Sequence, residues 1–331
     1  MLLRIFKGTD PGVMLLIIIT LGLLWIGAFT NPQSAGPFIY ETAPMPLYSL
    51  VKYFLAGNHI AGTIFTLVLV FVILFLISGF NTAVFFINER TFLPVILYLL
   101  LTAVFPFNQK LNPVLPAAIF LILAMMRIMG AYRKQGIAYN FFDAGILISI
   151  GSLFYANLIW FVILLFVGIV MLRTVNFNEI ALSLLGLITP FIVVAGFFYV
   201  MDRDLGLLLS DFTDNLFTDN SVYKFDRITV VVLIYVALIL LISLGFLSNQ
   251  LNAKKVKARK TYFLLFWAFG ISLVLYFLLP SVSIEMMWLT GIPSCYFMAH
   301  YFVFVKRKLL PEIFFTGLFV MILLVQILNI F

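Results

Sequence analysis

The sequence predicts an all-α integral membrane protein of about eleven spans, and three observations carry that prediction. Of 331 residues, 64% are hydrophobic and 10% charged, with mean hydropathy +1.18, whereas a soluble domain averages roughly 25% charged residues. So little charge cannot cover a water-facing surface. The chain also divides into eleven apolar runs, each near the ~20 residues that a spanning helix takes, which leaves no length for a soluble domain. Finally, with the N-terminus inside, fourteen of the twenty Lys and Arg fall in cytoplasmic segments. That bias sets orientation: N-terminus cytoplasmic, C-terminus extracytoplasmic. The net charge of +7 is then an orientation signal, and no nucleic-acid partner is expected.

Span 1, Pro11–Phe29, follows Arg4 and Lys7 and is read as a retained signal anchor. The outer segment after it carries one acid, Glu41, and then apolar residues at helical spacing around Lys52. This predicts an amphipathic helix near 46–57, lying along the membrane surface. Span 2 runs from His59 to about Ile87, span 3 from Phe92 to Phe107, and span 4 from near Pro113 to Arg133. Spans 5 and 6 share only Phe141–Leu172. At 1.5 Å per residue each arm reaches roughly 24 Å, short of a ~30 Å hydrocarbon core. The apex Tyr155-Ala156-Asn157 should therefore lie in a recess below the outer surface, a pointer to a site, unless tilt absorbs the mismatch. Span 7, Ile180–Met201, leads to an aspartate-rich outer loop. Spans 8 (Ile228–Ser248), 9 (Thr261–Leu279), 10 (Met286–Val305) and 11 (Leu310–Phe331) complete the chain.

The chain also repeats itself. Arg173–Phe198 aligns with Arg4–Phe29 at an offset of 169, pairing Glu179 with Asp10 and Gly196 with Gly27. Further on, Pro106 pairs with Pro280 at 174, and Arg127 with His300 and Phe141-Phe142 with Phe314-Phe315 at 173. Spans 1–5 then correspond to spans 7–11, as two parallel-related halves over 1–156 and 173–331, with span 6 (157–172) unpaired. Parallel repeats are expected to be related by an axis along the membrane normal.

Ionisable groups within a bilayer are costly, usually paired and often functional. Arg127 and Asp143 lie near the inner ends of spans 4 and 5 and are expected to form an ion pair. Its first reading is as a pair orienting the two helices, its second as part of a headgroup site with the apex residue Asn157. His300 is read first as a hydrogen-bonded packing residue and second as a titrating group. Arg173 and Glu179 flank the inner start of span 7, where an acid suits the helix dipole and an arginine can grip a phosphate. The single cysteine, Cys295, excludes an internal disulfide and a cysteine-rich metal site. No catalytic or nucleotide-binding signature is present, no metal or cofactor is expected, and the outer aspartates are read first as a solvated face and second as cation ligands. The layout after span 1, an outer loop followed by a surface helix, is similar to that of membrane glycosyltransferases using polyprenyl-linked sugars. Those place an acidic pair in this loop, and here it has only Glu41.

The run from Ala144 to Phe191 resembles an uncharacterised family of bacterial polytopic inner-membrane proteins. Gly145, Ser152–Tyr155, Arg173, Glu179, Gly186 and Pro190 carry the resemblance. It implies residence in a bacterial cytoplasmic membrane and supplies no activity. The leading expectation is an envelope-biogenesis component that accommodates a membrane lipid, possibly a polyprenyl-linked glycan. A second is a non-catalytic subunit embedded with an envelope protein partner, and a third is a small-solute transporter.

Overall fold

The computed structural model describes residues 2–30, 38–55, 57–87, 89–132, 138–172, 177–219, 225–306 and 309–330. They form fifteen α-helices and four 3-10 segments, with no strand among the described residues. A short α1 (Leu2–Lys7) precedes α2 (Pro11–Thr30), and a one-turn α3 (Ile39–Thr42) leads to α4 (Pro46–Leu55), close to the amphipathic helix expected at 46–57. Then come α5 (His59–Val84), α6 (Leu93–Thr102), α7 (Val114–Gly130), α8 (Ala138–Ser152), α9 (Ile163–Leu172) and α10 (Phe177–Val200). Last are α11 (Leu205–Phe217), α12 (Arg227–Gln250), α13 (Val256–Leu278), α14 (Met287–Phe304) and α15 (Leu309–Ile330).

Six of these, α2, α5, α10, α12, α13 and α15, are long and apolar enough to cross a membrane. Each keeps an apolar outer face, for example Leu15 and Leu23 on α2, Phe75 on α5, Ile192 and Val193 on α10, and Leu241 on α12. Large apolar side chains exposed in this quantity suit lipid and not water. The centre is built differently. All ten residues of α6 are buried, as is nearly all of α14. α14 is less apolar than the outer helices because its surroundings are protein, so its polar groups are met by carbonyls: Tyr296 donates to Ile77 O (2.7 Å) and Ser294 to Thr290 O (2.7 Å). Tyr98 of α6 donates to Trp288 O at 3.0 Å.

Span 3 is shorter than expected. α6 stops at Thr102 because Pro106 forces Phe105 into an extended conformation (φ −111°, ψ 98°). A 3-10 segment, Pro106–Gln109, then turns the chain into α7. The 5–6 hairpin turns through another, Ala156–Val162, and α13 joins α14 through Ile284–Met286. The aspartate-rich loop holds a helix the sequence reading left out. Asp204 caps α11 by accepting from Gly206 N (2.8 Å), and Leu208, Phe212 and Leu216 recur along one face of it.

The closest helix seam joins α8 to α10. A β-carbon on Gly145 would come within 2.5 Å of Ser183 O, and one on Gly186 would collide with the Phe142 carbonyl. Two of the glycines that carry the family resemblance are thus the positions where backbones touch.

Candidate functional site

Of the residues singled out from sequence, Arg127 and Asp143 do meet. Nη1 and Oδ2 are 3.7 Å apart, with the side chains 59% and 41% exposed. It is a loose peripheral pair between α7 and α8. Glu179 is buried in the first turn of α10, where the helix dipole favours a carboxylate. His300 is buried in an aromatic nest of Phe304 (4.8 Å between centroids), Tyr262 (5.5 Å) and Phe246 (5.9 Å). Neither of its ring nitrogens has a hydrogen-bond partner among the described residues, so it packs without the bond expected of it. Arg173 lies outside the described residues. Asn157 sits at the far end of α8 from Asp143 and does not approach Arg127; its amide donates instead to Asn215 O (3.1 Å) and Ser281 Oγ (3.3 Å). None of the five described residues among these lines the cavity beside α4 or the groove between α2 and α5.

Asn157 belongs to a second, denser polar cluster at the opposite end of the bundle. Three 3-10 connections, α6–α7, α8–α9 and α13–α14, bury polar groups there. Asn108 donates to Ile284 O (2.9 Å) and Gln109 to Leu24 O (3.0 Å), while Asn112 Oδ1 caps α7 by accepting from Val114 N and Leu115 N (3.1 and 3.2 Å). Ser281 Oγ donates to Leu216 O (2.7 Å), and Asn215 Nδ2 to Ala43 O (2.6 Å). Glu285 is fully buried among them; its Oε1 accepts from Ser283 N (2.9 Å) and Tyr155 OH (3.4 Å).

Over these turns lies the segment with α3 and α4. Phe38 stacks on Tyr40 (5.2 Å), Tyr48 OH donates to Leu111 O (3.3 Å), and Leu47 N to Leu153 O (3.2 Å). Glu41 brings the charges together. Its Oε1 is 2.9 Å from Lys110 Nζ, with side chains only 18% and 12% exposed, and its carbonyl accepts from Lys52 Nζ at 3.0 Å. The Lys110 ammonium also lies over the rings of Phe107 (4.2 Å) and Phe38 (5.3 Å). Beside it is a cavity of about 430 Å³, lined by Glu41, Tyr48, Lys52, Leu55, Gly57, Asn58, His59, Gly62, Thr63, Lys110 and Leu111.

Burial sets the electrostatics. It pushes the Glu285 carboxyl up to about 7, against the stabilising pull of Ser283 N–H, the Tyr155 hydroxyl and Lys110. Tyr155 and Tyr40 are raised well above 10, by burial first and by the nearby Glu285 second. Burial lowers Lys110, and Glu41 and Glu285 oppose that. The cluster thus combines two carboxylates and two ammonium groups, one carboxylate able to exchange a proton near neutrality. Glu285, from the α13–α14 connection, is a second acid acting on Lys110 beside Glu41. Sequence reading missed Glu285 because it is a single acid in a short serine-containing turn. Its partners Tyr155 and Lys110 belong to two other hairpins. The signal available was three short connections, each carrying Asn, Ser or Glu between apolar runs. No group of three or more His, Cys, Asp or Glu able to hold a metal occurs among the described residues.

An all-helical bundle with apolar outer faces and buried polar turns defines the class: a helical membrane protein. Within that class, the chain belongs to a family of unknown function, DUF6427, which matches residues 45–331. No curated protein and no solved structure matches the chain.

Proposed function

We propose that the protein is a multi-pass component of the bacterial inner membrane that accommodates a lipid or lipid-linked glycan in envelope biogenesis. The observation that carries this reading is the cavity under α4, with Lys52, Lys110 and Glu41 in its wall beside the lipid-facing stripe of α5. About eleven spans fit the chain: the six long helices together with α6, α7, α8, α9 and α14, joined by turns that alternate between two ends of the bundle. Lys7, which donates to Val303 O (2.8 Å) and lies 3.9 Å from Glu89, marks the cytoplasmic end on this reading. The Glu41 cluster marks the extracytoplasmic one, and the two parallel-related halves, helices α1–α8 and α10–α15, share both ends.

Lipid retained by the purified full-length protein, identified by mass spectrometry, tests the function. One enriched species, polyprenyl-linked above all, is the expected result; the bulk phospholipid mixture alone would contradict it. Reporters at the C-terminus and in the Lys254–Lys260 segment test the topology, reading extracytoplasmic and cytoplasmic respectively. A second reading, a non-catalytic subunit of an envelope complex, is favoured by an apolar groove of about 270 Å³ between α2 and α5, lined by Met14, Ile18, Phe71 and Phe75. A reproducible protein partner carrying ordinary phospholipid would select it.

A further inference from the structure

We infer that the cavity under α4 is a seat for a phosphate group, with Lys52 and Lys110 as its cationic donors and Glu41 as the internal counter-ion that the phosphate displaces. The inference deepens the lipid-accommodating reading and rests on it only for the source of the phosphate. Lys52, Lys110 and His59 converge on the cavity from α4, the α6–α7 turn and the start of α5, and a single carboxylate, Glu41, faces them. Lys52 bonds the backbone carbonyl of Glu41 and not its carboxylate, so its charge is not neutralised there, and an ammonium has three protons to donate. Lys110 is fixed by its two aromatic rings and spends its charge on Glu41. An incoming phosphate offers three strong acceptor oxygens in place of that carboxylate. Asn58 caps α5 by accepting from Ile60 N and Ala61 N (3.1 and 3.3 Å). The positive end of a 26-residue helix therefore faces the same space.

The walls argue that the phosphate comes on an amphiphile. Leu55, Leu111, Gly62 and Thr63 are also in the cavity wall. Next to it Ile60, Ile64 and Val68 form an exposed apolar stripe down α5, while Tyr53 and Phe54 of α4 are 80% exposed. A head in the cavity would leave its chain along that stripe, within the hydrocarbon. The volume, about 430 Å³, exceeds a phosphate and leaves room for a polar substituent.

Full-length protein in nanodiscs doped with phosphatidic acid, or with diacylglycerol of the same chains, isolates the phosphate as the only difference; native mass spectrometry counts the retained lipid. Wild type is expected to retain phosphatidic acid about ten-fold better than diacylglycerol, the scale of one charge-assisted hydrogen bond. Lys52→Gln, at a half-buried position that need not disturb folding, should remove that preference, and Glu41→Gln should increase it. Protection by inorganic phosphate without doped lipid, lost in Lys52→Gln, also supports the seat and assigns a soluble source. Equal retention of the two lipids overturns the seat, as does a preference that survives Lys52→Gln and disappears in Arg127→Gln. If a single native lipid co-purifies but the preference is absent, the lipid-accommodating reading stands and the phosphate seat falls. If the Lys52-dependent preference is present but no native lipid is enriched, the seat stands and that reading falls.

Discussion

The two ends of the bundle are held together by different physics. At the Glu41 end, Glu41–Lys110 is a largely buried pair and Glu285–Tyr155 a fully buried one, drawn from α3, the turns of three hairpins and their flanks. At the other, Arg127–Asp143 and Lys7–Glu89 are separated by 3.7 and 3.9 Å and stand half-exposed. Cohesion near Asp143 comes from backbone meeting backbone at Gly145 and Gly186. Charge placed in an interior is costly, and losing one partner of a buried pair is more costly still, whereas loosely paired peripheral charge costs and contributes little. On the proposed reading, the α8–α10 seam is scaffolding and the Glu41 end receives the ligand.

The largest expected effect lies in the seam. In Gly186→Ala the new methyl meets the Phe142 carbonyl, which cannot rotate aside, so the helices must separate. Overpacking of this kind costs about 3 kcal/mol, read as loss of monodisperse protein and of melting temperature in detergent. Gly196→Ala, on the same helix but facing open space, should change stability by less than about 1 kcal/mol. Equal loss in both would remove the distinction.

Next come the ion pairs. Lys110→Met leaves Glu41 in a largely buried place without its cation, at a cost of about 2–3 kcal/mol, less than for a fully buried pair. Adding Glu41→Gln should return much of it. Asp143→Ala should cost no more than about 1 kcal/mol, because its pair is loose and exposed. Thermal melting of the three variants in one detergent checks the ranking, and a reversed order would break the comparison between the ends.

A subtler effect belongs to Glu285. Burial raises its carboxyl from the ordinary 4.5 to about 7, so between those values the folded protein holds a proton that the unfolded chain has released. Its stabilising contribution is complete below about 4.5 and lost as pH rises through about 7. It amounts to a few kcal/mol at most, at about 1.4 kcal/mol per pH unit. Melting temperature should therefore fall from pH 5 to pH 8 in wild type, and Glu285→Gln should flatten that slope. An unchanged slope would show that Glu285 does not titrate there.

Much of the fold was legible in the sequence, and much of the site was not. Apolar runs, the short arms around Asn157 and the helical spacing near Lys52 each report a local property, and α4 and the turn at Asn157 follow from them. The Arg127–Asp143 pair was legible too, because a charge in an apolar run is conspicuous. What sequence could not convey is how much protein would surround each charge: Arg127 lies near the end of α7 and escapes burial, while Glu285 lies in a turn and does not. Glu41, Lys110 and Glu285 converge only through tertiary packing, so no spacing in the chain announces them. α11 is a different omission; its apolar period was present, but its aspartates drew the reading toward a loop.

The central claim, that the Glu41 end and not the Arg127 end receives the ligand, is tested most directly by photocrosslinking in native membranes. A photoreactive residue at Leu55, in the cavity wall, is compared with one at Tyr139, exposed near Asp143, and adducts are read by intact mass. The account predicts one discrete lipid mass at Leu55 and only the bulk lipid mixture at Tyr139. The bulk mixture at both positions, or the discrete adduct at Tyr139 instead, would contradict it.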